Sequence, residues 1–165
     1  MPNVWKPSVT VAAVIERDGR FLVIEEETSE GVRLNQPAGH LDPHESLEQA
    51  VVREVLEETA HDFTPTGLVG MYMSRYMSKR RGVDVTYLRF TFCGVAGKEY
   101  DQPLDDGILR TMWMTRDELA ATQERHRSPI VLRCVDDYLA GKLANSLAPL
   151  ELLHTHASVF EGGLE

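Results

Sequence analysis

Cysteine is scarce. Cys93 and Cys134 are the only two in 165 residues, so no disulfide framework staples this chain, and both read as buried thiols of a reducing compartment, one on a predicted strand and one on a predicted helix. Long hydrophobic runs are absent. Nothing approaches the roughly 18 apolar residues that cross a bilayer, and no membrane partner is expected. The opening MPNVWKPSVTV lacks the charged start, apolar stretch and small-residue cleavage site of a signal peptide, so a cytoplasmic location is expected. Positive charge is also in deficit: 17 Lys and Arg against 26 Asp and Glu give a net charge of −9. Such a surface excludes a nucleic-acid duplex as the natural partner, because phosphate-backbone binding needs basic residues. Small phosphorylated substrates stay allowed, since metal ions can lie between a polyphosphate and an acidic site. Internal repeats and low-complexity tracts are missing as well.

What is present fits one soluble domain. The length suffices to enclose a core without disulfides or structural metal, and 42% hydrophobic with 26% charged residues is ordinary globular composition. A single domain is expected over residues 1–145, followed by a tail over 146–165 that packs on it. Ser8 to Glu16 and Arg20 to Glu26 flank Asp18-Gly19 and predict a β-hairpin. Leu34 to Gly39 predicts an extended segment bending into a loop. A turn is expected at Thr64-Pro65-Thr66-Gly67, then strands over Leu68–Tyr76 and Val83–Val95 around a basic tip, Lys79-Arg80-Arg81-Gly82. An acidic loop spans Glu99 to Gly107, and a short strand follows from Leu109 to Met114. Thr115 with Glu118 signals a capped short helix; Ser128-Pro129 begins another, which Gly141 is expected to end. Irregular alternation of strands and helices predicts an α/β (α+β) architecture, a mixed β-sheet with helices on both faces.

The densest chemistry lies between Gly39 and His61. Ser46 followed by Gln49 signals a helix start, and Val51, Val52, Val55 and Leu56 form its apolar arc. Glu54, Glu57 and Glu58 stand three and four residues apart, so they share the opposite face and repel by a few tenths of a kcal/mol per pair. Between Leu47 and Ala60 the only basic side chain is Arg53. Such a face calls for a cation from outside the helix.

The pattern G-x5-E-x7-R-E-(aliphatic)-x-E-E, from Gly39 through Glu45, Arg53 and Glu54 to Glu57 and Glu58, resembles the signature of the Nudix hydrolases. The stretches WKPSVTVAAVIERDGRFLVIEEE, NQPAGHLDPHESL, YLRFTF and RSPIVLRCVDDYLAG extend the resemblance to a NudJ-type subgroup of bacterial phosphatases. Two positions depart from it: Ala60 and His61 stand where the signature has Gly and an aliphatic residue. Ala at a helix exit of positive φ costs on the order of 1 kcal/mol, and His61 is expected to pack as a buried ring.

The resemblance implies an α/β/α sandwich and Mg²⁺, with Mn²⁺ as a substitute, held by Glu54, Glu57, Glu58 and the Gly39 carbonyl. Arg53 would orient the glutamates, and Glu45 would be structural. It also implies hydrolysis of a phosphoanhydride in nucleoside tri- or diphosphates, or in a related organic diphosphate such as a thiamine precursor, by activated water. Asp105, Asp106 and Glu99 are candidate bases by position. Arg75, Tyr87, Arg89 and Gln36 are candidate substrate contacts, with Lys79, Arg80 and Arg81 as further cations. Trp5 and Tyr72 are assigned to apolar packing, and His40 is not expected as a ligand beside so many carboxylates. Two other readings stay open: an ADP-ribose or dinucleotide pyrophosphatase, and a catalytically silent nucleotide- or RNA-binding module. The chain is expected as a monomer or homodimer.

Overall fold

The structure, a computed structural model, describes residues 4–161, apart from the Arg80 side chain. Its spine is β1 (Ser8–Arg17), where Val11 to Ile15 are almost wholly buried. A strand apolar on both faces needs cover on both, and it gets helices on both. Asp18 and Gly19, both at positive φ, turn the chain into β2 (Arg20–Thr28), as the hairpin signal predicts. β3 (Gly31–Asn35) and β4 (Ala38–His40) follow, so the segment expected as merely extended is two short strands around Gln36-Pro37. Then come α1 (Leu47–Thr59), β5 (His61–Ser78), β6 (Val83–Glu99), β7 (Ile108–Thr115), α2 (Arg116–Ala120) and α3 (Ile130–Ala144).

The seven strands run in the order β3-β2-β1-β6-β5, with β4 on β1 and β7 on β2. β1 lies parallel to β6 and the other pairs are antiparallel, so the sheet is mixed. One core layer sets Ala50, Val51 and Val55 of α1 against Val11, Ala13, Ile15 and Phe92. The other sets Cys134 and Val135 of α3, with Leu119 of α2, against Val14, Phe21 and Val23. Both cysteines are free and buried. Among the described residues no helix is long and apolar enough to cross a membrane.

Three expectations need correction. The turn at Thr64 to Gly67 does not reverse the chain; those residues belong to β5, whose register against β6 shifts between His61 and Phe63, Pro65 and Gly67, and Leu68 and Gly70. Bulges absorb a proline that cannot donate to the ladder and a glycine with no side chain to pack. Gly141 does not end α3, which runs on to Ala144 and is capped by Asn145 in the left-handed region at φ 50°. Gly141 instead lets the tail cross: a Cβ there would stand 2.7 Å from Leu147 Cδ2. Trp5 is not packed, being 68% exposed. Beyond Asn145, Leu68 and Ala148 exchange backbone hydrogen bonds of 2.8 and 3.1 Å, and Leu150 and Leu153 pack on the α1-side core.

Candidate active site

α1 begins with the expected reciprocal cap: Ser46 Oγ accepts from the Gln49 backbone at 3.1 Å and Gln49 Oε1 accepts from the Ser46 backbone at 2.8 Å. That cap fixes the helix phase. The apolar arc turns onto β1 and β6, and Glu54 and Glu58 turn toward β4, each only 7% exposed. Glu57 stands at the rim, its side chain 46% exposed. Glu58 Oε2 accepts the Ala38 N–H at 2.8 Å. Glu54 lies on the backbone of Gly39 so closely that a Cβ there would fall 2.1 Å from its carboxyl carbon. Only glycine leaves that space.

Arg53 ties the group together. Its Nη1 donates to Glu54 at 2.7 Å and to Glu57 at 3.1 Å; its Nε and Nη2 fork onto Glu45 at 3.0 and 2.8 Å; Nη2 also reaches the His40 carbonyl at 2.9 Å. The fork holds the Glu45 carboxyl below the usual glutamate range against the cost of its burial. The inner acids behave in the opposite way. Burial pushes Glu58 up to about 8, against the single Ala38 N–H and with added repulsion from Glu54, Glu26 and Asp105. Burial also raises Glu54, and the Arg53 contacts offset this only in part. Of the two desolvated carboxylates on this wall, Glu54 is paired with Arg53 and, among the described residues, Glu58 touches no cation.

The sequence matches the NUDIX domain family over residues 5–134. The chain belongs to the Nudix family. Nudix relatives of similar length include "Phosphatase NudJ" of Escherichia coli and of Shigella flexneri, each 33% identical over 150 residues that cover 90% of this chain and 92% of theirs. A NUDIX hydrolase from Nitrosomonas europaea is 47% identical, with a TM-score of 0.81 over 92% of this chain and 98% of that one. A MutT NUDIX hydrolase from Burkholderia pseudomallei is 25% identical, with a TM-score of 0.61 over 79% and 99%. This Nudix chain is accordingly a hydrolase, and its α/β fold is that of the family.

Nudix hydrolases use divalent metals, and the donors here fit one. They are hard carboxylate oxygens beside a side-chain-free glycine, and the raised Glu58 signals charge in want of a counter-ion. Among the described residues, no three His, Cys, Asp or Glu side chains are already arranged around a metal position; Arg53 occupies the oxygens of Glu54 and Glu57 instead.

The remaining candidates of this Nudix chain separate by location. Asp105 closes onto α1, its N–H donating to the Glu57 carbonyl at 2.9 Å, and it lines with Glu57, Gln102, Pro103 and Leu104 a cavity of about 240 Å³. Asp106 is exposed on the same loop. Glu99 pairs with His61 at the helix exit, 3.7 Å from its ring, and His61 is buried, edge-on to Trp113. Arg75 is locked to Asp84 by two 2.7 Å bonds across the exposed hairpin. Tyr87 places its ring 6.2 Å from His40. Gln36 is buried and donates to the Val131 carbonyl at 2.6 Å, while accepting from Arg89 at 2.7 Å. Tyr72 packs on the α3 side with its hydroxyl on Asp137. Arg81 reaches Ser29, and the Arg80 side chain lies outside the described residues. The sequence reading missed Glu26, whose charge bears on both Glu58 and Arg89. The run Glu25-Glu26-Glu27 was its only signal, and strand alternation alone does not say which of the three turns toward α1.

Proposed function

We propose that this hydrolase cleaves a phosphoanhydride bond of nucleoside tri- or diphosphates, or of a related organic diphosphate, with Mg²⁺ or Mn²⁺ held by Glu54, Glu57, Glu58 and the Gly39 carbonyl. The observation that carries the reading is the burial of Glu54 and Glu58 together on the Gly39 wall with too little positive charge beside them. When bound, the ion lowers the pKa of a water and offsets charge developing on phosphorus and the leaving oxygen. Arg53 holds Glu54 and Glu57 in place while anchored on Glu45, so ligand geometry survives thermal motion. Asp105 is the favoured base, because it sits at the mouth of the cluster and its charge bears on Glu54 and Glu58 alike. The acidic surface and membership of the Nudix family support a small diphosphate substrate, and the free buried thiols support a reducing compartment, the cytoplasm.

Glu57→Gln tests this directly. It removes a rim carboxylate that supports no buried contact, so circular dichroism should be unchanged while turnover falls at least ~100-fold. Near-normal turnover would refute the assignment. Phosphate release from GTP with and without Mg²⁺ separates hydrolysis from silent binding. Two monophosphate-bearing products from ADP-ribose, with no free phosphate from GTP, would shift the reading to a pyrophosphatase of that kind.

A further inference from the structure

Arg89 is half-buried like Arg53, Arg116 and Arg125. Each of those three holds a carboxylate, whereas among the described residues no carboxylate lies within ion-pair distance of Arg89. Among the described residues its one hydrogen-bond partner is Gln36 Oε1 at 2.7 Å, and its Nε is buried with none. The orientation of Gln36 is not arbitrary, because its amide nitrogen must face the Val131 carbonyl, which can only accept. The seat beneath Arg89 is therefore rigid and neutral. Burial works against the charge, and the nearest acids, Glu58 and Glu26, bear on it without touching it. A desolvated guanidinium with so few partners is expensive, and a fold retains one where something else completes it.

The sheet shows where that something would lie. Tyr72, Arg89, Thr10 and His40 are paired in one row across β5, β6, β1 and β4, so their side chains share the face opposite α1. Tyr87, two residues back along β6, lies on the same face with its ring near His40. Thr10 and Tyr87 are half-buried and His40 is exposed, so the row opens to solvent at the end bearing β4, whose Ala38 and Gly39 carry Glu58 and Glu54 on their other side.

We propose that Arg89, seated on Gln36, is the substrate-binding cation of this site and takes an oxygen of the substrate's phosphate chain. The inference rests on the reading of the site as a phosphoanhydride hydrolase. A polyphosphate approaching an acidic protein needs donors for the oxygens that a metal leaves free, and a guanidinium supplies them in a planar fork. Tyr87 and His40 would then flank the entrance.

The test uses the intact protein stripped of divalent ions, with inorganic pyrophosphate as the probe and thermal denaturation as the readout. Pyrophosphate should raise the melting temperature of the wild type and leave Arg89→Met unmoved; Arg89→Lys should respond weakly, since it keeps the charge without the fork. In the presence of Mg²⁺, KM for GTP should rise at least about tenfold in Arg89→Met while kcat stays within about threefold. A merely structural arginine would not give that split. Equal shifts in wild type and Arg89→Met, no shift in the wild type, an unchanged KM in both variants, or an Arg89-dependent shift produced by adenosine rather than pyrophosphate would each overturn the proposal. Glu57→Gln serves as the control: it should keep the pyrophosphate shift while losing turnover. Loss of the hydrolase reading would show there, and loss of the Arg89 proposal would show in the metal-free shift.

Discussion

Gly39 does its work by what it omits. The Glu54 carboxylate occupies the place a side chain would take, 2.1 Å from the ideal Cβ position, and the far end of a glutamate can swing aside more cheaply than a backbone can. Gly39→Ala should therefore fold, but with Glu54 displaced from Arg53 and from the wall. Displacements near 1 Å at a reacting centre cost about 10²-fold. A loss of turnover on that order is expected, with a weaker response to added Mg²⁺ and a urea midpoint close to wild type; full activity in Gly39→Ala would show that this close approach is dispensable. Residues of this kind were legible in the sequence because Gly39, Glu45, Arg53 and the three glutamates lie within one short segment whose helical spacing fixes their mutual placement. Arg89 was expected as a substrate contact and Glu26 was not expected at all. Their placement beside Glu58 depends on strand register between β2, β1 and β6, which no local spacing encodes. Trp5 shows the same limit from the other side: an aromatic residue is apolar enough to predict packing, yet this one is left 68% exposed.

At the scale of elements, capping chemistry translated directly. The Ser46–Gln49 and Thr115–Glu118 boxes both close as their spacing predicts. The exit of α1 is a departure that the chain tolerates. Ala60 sits at φ 56°, ψ 21°, with its N–H on the Leu56 carbonyl, and is 4% exposed. Left-handed backbone costs a residue with a Cβ about 1 to 2 kcal/mol, but the buried methyl returns about 0.8 kcal/mol. Ala60→Gly should therefore leave stability within about 1 kcal/mol of wild type. Ala60→Val, whose branched Cβ is far less compatible with positive φ, should cost more than about 2 kcal/mol. Chemical denaturation of the two variants checks this ordering, and equal stabilities would contradict it. Gly141 and the Thr64–Gly67 segment misled for a shared reason. Glycine and proline mark a break only when no neighbouring strand or tail crosses there, and here β6 and Leu147 do.

At the scale of the whole molecule, helices on both faces were expected from the alternation of elements and the tail was expected to pack on the domain, but its anchor was not legible, because that anchor is a backbone exchange with Leu68. The joint between the α3 layer and the sheet is a charged one. Glu16 at the end of β1 accepts from Tyr138 at 2.9 Å and from Lys142 at 2.7 Å. The Lys142 bond, aided by Tyr138 and opposed by burial, depresses its carboxyl below the ordinary 4.5. A folded value below the unfolded one means the joint contributes its full stability above about pH 4.5 and loses it as pH falls through the depressed folded value. Other paired carboxylates, Glu25 and Glu45 among them, also titrate in acid, so the absolute stability of the wild type falls for several reasons at once. The difference between wild type and Glu16→Gln isolates this one. Because the Lys142 side chain is 56% exposed and solvent screens it, the difference should be about 1 kcal/mol at pH 7. Urea unfolding at intervals from pH 7 to pH 3 should show that gap closing below about pH 4.5. A gap that stays constant across the range would mean that Glu16 titrates alike in the folded and unfolded chains, and that its charge contributes nothing to holding α3 to the sheet.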